Sequence, residues 1–133
     1  MAQASPSTKA RPLSPHLEIW RWGPAMLVSI LHRVSGNGFA VAGLATLLCW
    51  LGTLAAGPET YAAFTTQAGS WYRMVVLIGL SWCFFNHFAS GIRHLVLDIG
   101  AGYELVANAR WSVLTPIIGI IMTAAFWAAI LHR

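Results

Sequence analysis

The sequence predicts an all-α integral membrane protein with three transmembrane helices and its N-terminus on the inner side. Three observations carry that prediction. Apolar residues make up 57% of the 133 residues and charged ones 9%, where an ordinary globular domain has about a quarter charged. Three long stretches, Val34 to Pro58, Met74 to Ile92 and Trp111 to Leu131, hold no Asp, Glu, Lys or Arg, and about 20 apolar residues suffice to cross a bilayer. The basic residues are placed unevenly. With three spans, Lys9, Arg11, Arg21, Arg33, Arg93 and Arg110 fall on one side, and Arg73 and Arg133 on the other. The excess of Lys and Arg marks the inner side, so the N-terminus and the second loop face inward. These basic residues adjoin apolar runs, which explains a net charge of +4 by topology and gives no indication of nucleic-acid binding.

In chain order, residues 1 to 15 are polar and rich in proline, and read as an extended arm. From His16 to Trp22 two tryptophans flank Arg21, a pattern suited to a short segment at the headgroup level. Residues 1–22 thus form an arm and interfacial segment, and residues 23–133 form the anchor domain. Gly23-Pro24 opens the first span, expected over about 24–54, because proline suits the first turn of a helix. Ser29, Gly36, Ala40 and Gly43 share a face there, a stripe of small residues that lets a helix or a flat ligand approach. Residues 55–70 read as a loop with a mildly amphipathic piece, and Trp71-Tyr72-Arg73 as an interface anchor. The second span is expected over about 71–97. A loop follows, and the third span is expected over about 111–131, with Pro116 in its first turns. Cys49 and Cys83 lie in apolar segments and read as buried free thiols.

The polar residues of the spans converge on the inner side. At about 100° per residue, His87, Gly91, His94 and Asp98 fall within a wedge of about 60°. His87 lies roughly 9 Å of helix rise deeper than Arg93. A polar ring at that depth is costly unless paired or liganded. Two readings fit it: an axial ligand to haem iron, or a hydrogen bond across to a neighbouring helix. Gly91 leaves space beside it. His94, about 10 Å further along by helix rise, is too far to share the same iron but could reach a haem propionate. Asp98 sits near a helix C-terminus, which its charge opposes, so His94 or an arginine is expected to pair with it. Ser29, His32 and Arg33 form a second polar group at the inner end of the first span. Donors of this kind suit the two carbonyl oxygens of a quinone head; they equally suit a capping serine and two headgroup-level bases. A haem held by two histidines needs a second ligand, and His87 is the one deep histidine of this sequence. That ligand would come from another polypeptide.

Two motifs, Ser29-Ile30-Leu31-His32-Arg33-Val34-Ser35-Gly36 and His87-x-x-x-Gly91-x-Arg93-His94-x-x-x-Asp98, resemble those of the cytochrome b556 subunits of succinate dehydrogenase, the membrane anchors of respiratory complex II. The lead-in Arg11-Pro12-Leu13-Ser14-Pro15-His16-Leu17 is similar too. The resemblance implies one haem b with His87 as axial ligand, shared with a second anchor subunit. It implies His32, Arg93 and His94 near the haem propionates, and Ser29 and Arg33 at the ubiquinone site. The implied partners are that second anchor, an iron–sulfur subunit, a flavoprotein subunit and the bilayer. Succinate and flavin would be bound elsewhere in the complex. A haem-free anchor of a related enzyme such as fumarate reductase is the alternative. With no long presequence ahead of the motif, a bacterial inner membrane is expected rather than a mitochondrial one.

Overall fold

The computed structural model describes residues 22–132. The expected arm and interfacial segment lie outside the described residues, apart from Trp22. Four helices follow: α1 (Pro24–Ala55), α2 (Pro58–Ala68), α3 (Trp71–Asp98) and α4 (Leu105–Leu131). Among them α1, α3 and α4 are long and apolar enough to cross a membrane, and the three pack against one another.

The interior of the bundle is polar and its surface apolar. Among the described residues the one buried hydrophobic side chain is Val28, while Ser35, Asn86, Ser90, Ser112, Thr115 and Thr123 are all buried. Leu48, Val75, Ile121 and many others point outward. A water-soluble core would be the reverse. In a bilayer the outward side chains meet lipid, and helices associate through small residues and hydrogen bonds. Three of these hydroxyls are satisfied locally: Ser112, Thr115 and Thr123 donate to the carbonyls of Asn108, Trp111 and Gly119, at 2.6, 2.7 and 2.7 Å. Between helices, Trp127 Nε1 donates to Ser81 Oγ at 3.3 Å. Gly119 lets α4 lie directly on α3, since a Cβ there would stand 3.0 Å from the Cα of Asn86.

Four expectations need correction. The stretch 55–70 is not mainly loop: α2 begins at Pro58, an N1 proline, with Glu59 in its first turn. It is tied to α3 through Arg73, which donates to Gln67 Oε1 and to the Phe64 carbonyl. The third span starts at Leu105, ahead of Trp111, because no breaker follows Gly102. Pro116 is therefore an interior residue. Neighbouring helices and Ser/Thr hydroxyls make such a proline tolerable in a membrane span. The stripe of small residues is interrupted, because residues Phe39–Gly43 form a π-helical turn within α1. Gly36 abuts α3, but a Cβ at Gly43 would meet Phe39 of its own helix. Finally, Cys49 is exposed on the apolar surface and Cys83 is half-buried, both as free thiols.

The end of α3 is built as a Schellman motif. Gly100 N–H reaches the Leu97 carbonyl at 2.9 Å and Ala101 N–H the Val96 carbonyl at 3.2 Å. Gly100 takes φ +84°, a left-handed conformation that glycine adopts without strain. The tight stop directs the chain straight into α4.

Candidate functional site

The inner halves of α1 and α3 bring three histidines together. The rings of His32 and His87 stack with centroids 4.0 Å apart and planes 5° from parallel. His94 lies against the same His32 ring at 4.7 Å and 27°. Helix α3 alone aligns His87 with His94, and α1 inserts His32 beside both.

Hydrogen bonds fix the ring of His87. Its Nδ1 stands 3.0 Å from the carbonyl oxygen of His32. A carbonyl can only accept, so Nδ1 carries the proton and Nε2 keeps its lone pair, the form that binds a metal. The same carbonyl receives the Ser35 hydroxyl at 3.1 Å, and Ser35 Oγ in turn accepts from Asn86 Nδ2 at 3.0 Å. The network therefore runs Asn86 to Ser35 to the His32 carbonyl, with His87 joining from the other side. Sterics complete the clamp. A Cβ on Gly36 would fall 2.4 Å from Cε1 and 2.6 Å from Nδ1 of His87, so only a bare Cα fits there. One turn along α3 from His87, a Cβ on Gly91 would meet nothing within 4 Å.

Other predicted residues are placed less uniformly. His94 Nδ1 donates back to the Ser90 carbonyl at 2.7 Å, so the expected pairing with Asp98 is not formed. Asp98 is exposed at the end of α3 and makes no ion pair among the described residues. Ser29 is half-buried and Arg33 exposed, one turn apart on α1, and neither side chain is hydrogen-bonded among the described residues. Arg93 does not join the histidines: its guanidinium donates to Asn108 Oδ1 on α4. Among the described residues, four buried side-chain polar atoms have no partner, namely His32 Nδ1, Asn86 Oδ1, Ser90 Oγ and Arg93 Nε. Leaving such an atom unpaired costs about 1–3 kcal/mol. Three of the four lie in or beside the histidine cluster, which has unused capacity for a polar ligand.

The His87 imidazole is thus held among apolar helices by one hydrogen bond and by the close approach of Gly36. Comparison with known proteins supplies the family. Residues 7–130 match the family described as succinate dehydrogenase/fumarate reductase transmembrane subunit. The chain belongs to this family. Among relatives of this anchor subunit, the succinate dehydrogenase cytochrome b556 subunit of Paracoccus denitrificans is 36% identical over 114 residues, covering 86% of each chain. That of Rickettsia felis is 33% identical over 117 residues, 88% of this chain and 90% of the relative. The mitochondrial cytochrome b560 subunit of Sus scrofa is 29% identical over 124 residues, 89% of this chain and 70% of the relative.

Ser35, Gly36 and Asn86 are functional neighbours that sequence reasoning did not single out. Asn86 offered a signal, as a second polar residue beside the deep histidine in a stretch without charges. Gly36 closed the first motif but was read only as part of a stripe.

Proposed function

We propose that this chain is the haem b-binding anchor of a bacterial inner-membrane succinate dehydrogenase, and that it helps form the site where ubiquinone is reduced. The observation that carries the reading is the 3.0 Å contact of His87 Nδ1 with the His32 carbonyl, which assigns the proton to Nδ1. The bond to the His32 carbonyl already satisfies the cross-helix role open to a half-buried histidine, yet it leaves Nε2 with a lone pair and no partner among the described residues. A haem-free anchor would have no use for that nitrogen. The open space beside Gly91 and the unpaired Nδ1 of His32 fit a large planar group with acidic side arms.

In this reading His87 would hold the haem iron through Nε2, together with a ligand from a second anchor subunit. His32 and His94 would pair with its acidic side arms; Arg93, engaged with Asn108, is left out of that set. Haem b supplies reversible one-electron chemistry when bound. Ser29 and Arg33, with free donors on the inner side, bind the quinone head. Ser29 orients one carbonyl oxygen by hydrogen bonding, and the Arg33 guanidinium stabilises negative charge as electrons arrive. Their position near the start of α1 favours proton supply from the inner aqueous side. Iron–sulfur and flavoprotein subunits deliver the electrons.

Purification in mild detergent through a tag on this chain tests the assignment. A second small membrane subunit, an iron–sulfur protein and a flavoprotein should co-purify, with a b-type α-band in the reduced-minus-oxidised spectrum. A complex without that band refutes the haem assignment. Ser29→Ala should lower quinone reduction by roughly tenfold, the worth of one hydrogen bond to a charge-developing oxygen, with the α-band unchanged. Unaltered quinone reduction would place the quinone elsewhere.

A further inference from the structure

The inner ends of α3 and α4 form a second feature, separate from the histidines. A groove of about 420 Å³ runs between them. Its walls are apolar, with Phe88 and Ile92 from α3 and Trp111, Ile118 and Met122 from α4. Its polar end is formed by Arg93 and Asn108. From Asn108 to Met122 the wall on α4 rises about 21 Å. The groove therefore has the polarity of an amphiphile: one charged end and a long apolar body.

The charged end is incomplete. Arg93 donates to the neutral oxygen of Asn108, its Nε is buried without a partner, and it forms no ion pair among the described residues. A cation drawn into an apolar surroundings is costly without a counter-charge. Phe88, Ile92 and Trp111 are about half exposed, at 50%, 48% and 55%, so the groove opens sideways from the bundle. An occupant would come from the bilayer plane and would need an anionic, hydrogen-bond-accepting head on an apolar chain.

We infer that this groove binds an anionic phospholipid, its phosphate on the Arg93 guanidinium and an acyl chain along Ile92, Ile118 and Met122. Asn108 orients the guanidinium through Nη2 and leaves its other N–H groups for the phosphate. The lipid supplies the counter-charge that the chain lacks and fills the seam between α3 and α4.

The test uses the complex purified through this chain and reconstituted in phosphatidylcholine vesicles with a minor share of phosphatidylglycerol. After re-extraction, retained lipid is identified by native mass spectrometry. The wild type should retain phosphatidylglycerol well above its share in the vesicle. Arg93→Gln should reduce that enrichment roughly tenfold, the loss of a charge-assisted hydrogen bond. Ile118→Trp, which fills the groove but keeps the guanidinium, should reduce it as well, and covers the case in which Arg93→Gln assembles poorly. Undiminished enrichment in both variants overturns the proposal. Equal retention of the two lipids by the wild type also overturns it, as does a quinone in place of lipid, or cross-linking of Ile92→Cys to a partner helix seated in the groove. None of these readouts depends on haem or on quinone reduction.

Discussion

Replacing His87 with leucine is expected to abolish the b-type α-band of the purified complex while the chain still inserts and anchors. Leucine is close to histidine in volume, so the contact with Gly36 is retained without a cavity. The hydrogen bond to the His32 carbonyl is lost, but Ser35 still donates to that oxygen. Cross-helix hydrogen bonds in membranes average about 0.6 kcal/mol, too little to unfold three apolar spans. Haem content, by contrast, should fall to near zero, because no other ring on α3 has a fixed Nε2 at that depth. Quantified haem per complex checks this, and a full α-band in the variant would remove His87 from the ligand set.

Gly36→Ala should be nearly as damaging, although the residue carries no chemistry. The new methyl would stand 2.4 Å from the His87 ring, so the imidazole must shift. Overpacking of this kind costs about 1–3 kcal/mol. The displaced ring loses its bond to the His32 carbonyl, and with it some basicity at Nε2. The expected result is reduced haem content and, in the haem that remains, a more positive midpoint potential, measured by redox titration. A wild-type potential and content would show that the clamp is dispensable. Gly91→Ala is the matched comparison: its methyl meets no protein atom within 4 Å, so any haem lost in that variant reports a porphyrin edge in that space.

Much of the fold was legible because a bilayer enforces it. Each charge-free run had to be a helix, and 3.6-residue periodicity puts His87 and His94 on one face. Two kinds of information were not legible. Local geometry was one: α2 is short and only weakly amphipathic, and the π-helical turn of α1 leaves no mark in a run of apolar and small residues. Rotation between helices was the other. Sequence spacing places His32 near the inner surface but says nothing of which neighbour it faces, so its stacking between His87 and His94 could not be anticipated. Arg93 shows the same limit. Its neighbour in sequence is His94, yet its partner is Asn108 across a turn, and only the packing of α4 on α3 decides between them.

The π-helical turn at Phe39–Gly43 divides α1 into two segments with independent phase. One extra residue rotates everything beyond it by about 100°. The inner segment is thereby free to aim His32, Ser35 and Gly36 at α3, while the outer segment turns Leu47 and Trp50 toward α2. A single span can serve two neighbours that a straight helix could not address at once. Length, more than composition, is then the vulnerable property of this stretch. Exchanging one small apolar residue for another leaves the phase intact, whereas deleting one residue would re-aim half of the span.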